Sequence, residues 1–142
     1  TVPNTIRVLN LATNTVTSII NILPPAAPAD FGVNATGTRV YVTLANGTIR
    51  TIDTATDAFI GAPLSSGGIS PRGIIINTAD MLAFVANFNS GTLTRVVLAT
   101  NTSTSVAIGA GANQIVINAA NTRAYITASI ANTLSLVDIT TT

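Results

Sequence analysis

Lysine, glutamate, histidine, cysteine and tryptophan are all missing from this chain of 142 residues. Its six cations are all arginine and its five anions all aspartate, so charged residues make up 8%, against roughly 25% in an average soluble domain. Each absence excludes something. Without His and Cys, the commonest transition-metal ligands are gone, and with them the Ser-His and Cys-His nucleophile arrangements. Without Lys, the Ser-Lys variant fails as well. No disulfide or thiolate chemistry is available, which leaves the redox compartment open. The net charge of +1 offers no electrostatic footprint for DNA, RNA or anionic lipid. The strong polar helix formers Glu, Lys and Gln are represented by Gln114 alone, which disfavours helix before any pattern is read. No stretch of 18 apolar residues exists to form a transmembrane helix. The N-terminal Thr1-Val2-Pro3-Asn4 has no basic region followed by an apolar core, so no signal peptide is expected.

What is present is apolar and β-prone. Hydrophobic residues reach 47%, enough to bury a core and argue against disorder. Thr, Ile and Val, which suit a pleated surface, are abundant, and Thr, Asn and Ala stand where charge normally would. A neutral surface of hydroxyl and amide groups is expected.

Self-similarity is the main signal. Asn34-Ala35-Thr36-Gly37-Thr38-Arg39-Val40-Tyr41-Val42-Thr43 recurs from Asn77 to Ala86 and again from Asn118 to Thr127. The aromatic always falls seven residues after the Asn, and the copies lie 43 and 41 residues apart. A second element keeps step: Asn4-Thr5-Ile6-Arg7, Gly47-Thr48-Ile49-Arg50, Gly91-Thr92-Leu93-Thr94 and Asn132-Thr133-Leu134-Ser135. Each leads to a turn, at Leu11–Asn14, Thr54–Asp57, Leu98–Asn101 and Ile139–Thr142. Pro28 and Pro71 precede Phe31 and Ile74 by three residues. One unit reads as four short strands. The first is a continuous apolar run (Ile74–Ile76, Ile115–Ile117) and the second carries the aromatic (Val40–Thr43, Ala83–Ala86, Ala124–Thr127). The third follows a Gly-Thr or Asn-Thr turn (Thr48–Ile52, Thr92–Val97, Thr133–Val137), and the fourth is looser (Thr15–Ile22, Ala58–Ala62, Thr102–Gly109). Asn46-Gly47 and Ser90-Gly91 are hairpin dipeptides.

Four strands on a period of about 40 to 45 predict an all-β fold of β-propeller blades, each of four antiparallel strands. The expected blades are 1–28 (partial), 29–70, 71–111 and 112–142 (incomplete), about three and a quarter in all. Inner strands buried on both faces explain runs such as Gly73-Ile74-Ile75-Ile76.

These residues carry a resemblance. Thr38-Arg39-Val40-Tyr41-Val42-Thr43, the following Gly-Thr, and Ile52-Asp53-Thr54-Ala55-Thr56-Asp57 resemble the YVTN family of β-propeller repeats over essentially the whole chain. The resemblance implies a secreted or surface-layer scaffold or binding module, hence an extracellular or cell-surface location. The middle copy departs from the pattern, with Val97 where Asp53 and Asp138 stand and Leu82 where Arg39 and Arg123 stand. Neither position can form a ring of identical ligands around an axis.

Propellers close with four to eight blades, so thirteen strands cannot close a ring, and a lone stack leaves two apolar faces uncovered. The chain begins and ends inside repeating material, as a mature or trimmed fragment would. Either a longer polypeptide or several chains must complete the ring or a fibre. In the second case, Thr15–Ile22 is a candidate to complete the last blade, Asn113–Val137, of its own chain or a neighbour.

Chemistry-bearing residues are few. Met81, the one sulfur, is expected as core filler. Asp53 and Asp57 flank a turn, Asp138 repeats Asp53, Asp80 sits in a hairpin and Asp30 precedes a first strand. A carboxylate pair or a hard-cation site at Asp53 and Asp57 is weighed against hydrogen-bonded turns. Asn10, Asn14 and Asn101 substitute at the same positions, which favours turns. Arg7 and Arg50, and Arg39 and Arg123, are repeat pairs expected as solvated edge residues, with an anion or sugar-acid contact as the alternative. Asn34, Asn46 and Asn101 head Asn-x-Ser/Thr sequons, which arise by chance in so Asn- and Thr-rich a chain. The expectation is a non-catalytic structural or interaction module with no catalytic, cofactor or metal residues. It would self-assemble or complete a propeller with the remainder of a longer chain. A ligand- or glycan-binding propeller is the alternative. A propeller enzyme with catalytic residues outside this segment comes third.

Overall fold

The computed structural model describes residues 4–23, 26–79 and 81–140, and the expected Asp80 hairpin position and the last two turn residues lie outside them. The described residues form thirteen strands in four antiparallel sheets and no helix. The first sheet pairs β1 (Thr5–Asn10) with β2 (Thr15–Asn21). The second runs in order β3 (Pro28–Val33), β4 (Arg39–Leu44), β5 (Thr48–Asp53), β6 (Ala58–Ser65). The third repeats that order with β7 (Pro71–Ile76), β8 (Leu82–Asn87), β9 (Thr92–Val97) and β10 (Thr102–Ala107). The fourth has three strands, β11 (Ala112–Ile117), β12 (Arg123–Ala128) and β13 (Thr133–Asp138). Every strand read from the repeat is present, most of them one to three residues longer than the apolar pattern alone suggested.

Local chemistry makes each hairpin. Asn34, Asn77 and Asn118 precede the turn from first to second strand, and each turns its Oδ1 back onto backbone N–H groups. Asn34 Oδ1 accepts from Arg39 at 2.8 Å, Asn77 Oδ1 from Met81 and Leu82 at 3.0 and 2.9 Å, and Asn118 Oδ1 from Thr122 and Arg123 at 2.8 and 3.0 Å. The repeated Asn is thus a turn device, an Asx bond that satisfies backbone donors where the turn leads into the second strand.

Three apolar clusters lie between successive sheets. Ile6, Ile20, Val42 and Ile52 join the first sheet to the second, Tyr41, Ile49, Ile74, Val85 and Val96 the second to the third, and Phe84, Leu93, Ile115 and Ile126 the third to the fourth. Burial follows position in the stack. Strand β8 is buried at five of its six positions because the third sheet is covered on both faces. Strand β11 alternates, because only one face of the fourth sheet is covered. Gly73 shows how closely sheets approach: a Cβ there would run into the Asn113 carbonyl of the fourth sheet. Phe31 and Val33 differ from the doubly buried inner strand expected. They are 47% and 54% exposed because the first sheet has only two described strands and no further described strand lies over β3 on that side.

Thr15–Asn21 does not complete the last sheet within this chain. It pairs with β1 across a four-residue turn, where Asn14 takes φ 55°, and local pairing closes far less chain than a return to β13.

Candidate functional site

The aspartates are occupied by structure. Asp53 Oδ1 accepts from the N–H groups of Ala55 and Thr56 at 2.9 and 3.1 Å and from the Thr56 hydroxyl at 3.3 Å. Asn10 does the same for Ala12 and Thr13, and Asp138 for both the N–H and hydroxyl of Thr140. A carboxylate oxygen ringed by donors is poorly placed to hold a cation. Where Val97 replaces this acceptor, the Asn101 N–H bonds the Val97 carbonyl at 2.9 Å. Asp57, Asn14 and Asn101 share a left-handed backbone, φ 50°, 55° and 55°, which Asp and Asn tolerate best among residues with a Cβ. The interchange of Asp and Asn within the repeat therefore has two physical causes, capping at one position and backbone conformation at the other. Among the described residues no group of three or more His, Cys, Asp or Glu could hold a metal. The Asp138 carboxyl is held below the ordinary aspartate range, first by the Thr140 hydroxyl, then by the Thr140 N–H, with Arg123 across the strand pair adding to the effect against slight desolvation.

Asp30 lies inside β3 rather than before it, and its Oδ2 accepts from the Ile74 N–H at 3.0 Å, tying the second sheet to the third. Two other ties were not foreseen from sequence. Asn101 Oδ1 accepts from the Ser65 N–H, and Asn121 pairs twice with Thr78 between the third and fourth sheets. The sequon side chains are engaged in the same way. Asn34 is 8% exposed and donates to Thr36 and Thr38, and Asn46 accepts from the Thr48 N–H and hydroxyl.

Arg7 lies on the edge strand β1 as expected, but the other three arginines of the repeat pairs do not lie on edge strands. Arg39 and Arg123 open strands β4 and β12, which have neighbours on both sides, and β5, which carries Arg50, is likewise internal. Arg7, Arg39 and Arg123 are exposed, but Arg50 is half-buried, its guanidinium 4.2 Å from the Phe59 ring centroid and its Nε without a hydrogen bond. Met81 also departs from expectation. It is 63% exposed, because it stands in the turn before β8 at the mouth of a cleft rather than in the strand.

Two kinds of surface are left with unspent interaction capacity. The first is the pair of outward faces. On the fourth sheet Val116, Tyr125 and Leu136 stand in register across β11, β12 and β13, with Leu134 beside them, and the three aliphatic residues are 57–60% exposed. On the first sheet Ile19 opposes Arg7 and Val16 opposes Leu9, with Leu9, Val16 and Ile19 46–56% exposed. The row Val116-Tyr125-Leu136 is the repeat counterpart of Gly32-Tyr41-Thr51, by which the second sheet meets the third. The second surface is a cleft of about 670 Å³ between the second and third sheets. Ile60 and Leu64 line one side, Met81 and Leu98 the other, and Arg39, Tyr41 and Thr51 border it.

No protein-family model and no curated protein matches the sequence. Among solved structures, the hydrazine synthase of Kuenenia stuttgartiensis is similar, with a TM-score of 0.85 at 18% identity over 97% of this chain. The match covers 41% of that neighbour, so the chain spans under half its length. At such identity the likeness shows the fold alone, a propeller-like β fold. Chains of solved structures that match number 762, and an architecture so widely used selects no activity.

Proposed function

We propose that the sheets are blades of a YVTN-type β-propeller and that the chain serves as a non-catalytic structural and interaction module at the cell surface or outside the cell. Its two outward faces are the working parts, and what they take is a further sheet of the same repeat. The observation that carries this reading is the register of the fourth sheet's bare face. Val116, Tyr125 and Leu136 repeat the row by which the second sheet docks the third, yet no described sheet faces them. Faces this apolar on both ends of a stack exceed what scattered surface hydrophobics explain. The near absence of charge supports the same reading, since little desolvation of ions opposes contact. The surface location rests on the family resemblance.

Sedimentation velocity over a concentration series tests the proposal. The chain should associate as concentration rises, and Leu134→Arg with Leu136→Arg should abolish association while thermal unfolding stays cooperative. Association unchanged by that pair, or a monomer at every concentration, overturns it.

A further inference from the structure

The cleft between the second and third sheets carries a separate inference, independent of how the outward faces are covered. Arg39, Tyr41 and Thr51 share one face of the second sheet, since Tyr41 opposes Thr51 in register and Arg39 lies two residues before Tyr41. Tyr41 is 4% exposed and lines the cleft, and among the described residues its hydroxyl has no hydrogen-bond partner, so what remains accessible of it is left for solvent or a ligand. Among the described residues, neither the Thr51 hydroxyl nor the Arg39 guanidinium has a hydrogen-bond partner. Asp53 opposes Arg39, yet its Oδ1 is spent on the turn and no ion pair forms. A hydroxyl and a guanidinium that line one cleft without bonding within the chain can both donate to an external acceptor.

The repeat provides an internal control. In the third sheet the counterparts of Arg39 and Tyr41 are Leu82 and Phe84, and Phe84 packs against the fourth sheet at 1% exposure. Packing two such sheets therefore does not need the tyrosine hydroxyl. Arg95 also borders the cleft and, among the described residues, no acid does, so the local charge is positive.

We propose that this cleft binds a small monocarboxylate with an apolar body. The carboxylate would accept from the Arg39 guanidinium and the Tyr41 hydroxyl, and the body would lie against Leu64, Leu98 and the exposed thioether of Met81. A doubly charged phosphate is disfavoured, because the cleft is mainly apolar and a second charge would have to be desolvated there. The volume lies in the range of small-molecule sites, about 300–1,000 Å³.

Met81 is the only methionine, so a ¹³C-methyl label at its side chain reports on this cleft and nowhere else. Octanoate, octan-1-ol and octylammonium, each below its aggregation threshold, are titrated against the full chain by NMR and calorimetry. Octanoate should shift the Met81 signal saturably and bind at least about tenfold more tightly than octan-1-ol, with octylammonium weakest. Arg39→Gln and Tyr41→Phe should each weaken octanoate about tenfold and leave octan-1-ol unchanged. Arg72→Gln, whose guanidinium sits over the Phe88 ring, should change nothing. Equal affinity for octanoate and octan-1-ol, or octanoate binding indifferent to Tyr41→Phe, overturns the proposal. Tyr41→Phe keeps the test sound should Arg39→Gln not fold, since Phe already stands at the equivalent place in the third sheet.

Discussion

A single residue type recurring at a fixed place can mark a ligand or a turn, and here the hydrogen bonds decide for the turn. Asn77 uses only its Oδ1, for two backbone N–H groups, whereas Asn118 also donates through Nδ2 to the Thr122 hydroxyl at 2.9 Å. Asn77→Asp should therefore be nearly neutral, while Asn118→Asp loses a bond, and Asn77→Ala should cost about 1–2 kcal/mol because two donors lose their acceptor. Urea midpoints of the three variants check the ranking. Asp138 makes a prediction about pH. Its carboxyl titrates lower in the folded chain than in the unfolded one, so its contribution is full above the ordinary value of about 3.9 and is lost as pH falls through the folded value. Asp138→Asn should flatten the loss of stability on the acid side, below about pH 5, and leave neutral stability almost unchanged. An Asn in that place still accepts from Thr140, as Asn10 does from Ala12 and Thr13. Denaturant midpoints of both proteins across an acid pH series measure it.

At the scale of strands and sheets, packing is tightest where the third sheet meets the fourth. Gly73→Ala should destabilise by about 1–3 kcal/mol, since its new Cβ meets the Asn113 carbonyl and the Ile115 backbone, neither of which can rotate away. A melting curve reads this directly, and an unchanged midpoint would mean that the two sheets can part at no cost. Strand positions were legible in the sequence because several markers kept one period. The ends of strands were not, because Arg39, Leu82 and Arg123 pair as strand residues through the Asn that caps their turn, and no apolar alternation signals that. Arg50 was misread for another reason. Its repeat partner Arg7 is exposed, while Phe59 on β6 offers Arg50 a ring to lie on, a contact between strands that spacing along the chain does not contain. Met81 was misread because an apolar side chain beside an apolar strand looks like core, whereas the hairpin turn lifts it clear. The cleft had one faint trace in the sequence, the exchange of Arg39 and Tyr41 for Leu82 and Phe84 in the next repeat. Its meaning depended on the cleft that Arg39 and Tyr41 line, which only packing reveals.

For the whole molecule, the magnitude of end-face association follows from the exposed side chains. Leu9, Val16 and Ile19 on one end and Val116, Leu134 and Leu136 on the other are each about half exposed. Full burial of such a side chain contributes about 1.5–3 kcal/mol, so the six together offer about 6 kcal/mol on contact. Lost translational and rotational freedom opposes this by about 4 kcal/mol or more. Association between copies is therefore weak and set by concentration, and a face of this size alone does not make a tight dimer. Its driving force also has a signature. Charges near the faces are few among the described residues, Arg7 with Asp57 at one end and Arg123 with Asp138 at the other, so raising NaCl from about 0.05 M to about 0.5 M should leave the association constant within about twofold, whereas ion pairs would be screened. Cooling should weaken association, because apolar burial loses strength at low temperature. Sedimentation at two salt concentrations and two temperatures measures both dependences on one sample. Dissociation by salt with no response to cooling would move the contact from the leucine and valine rows to the charged residues at their rim.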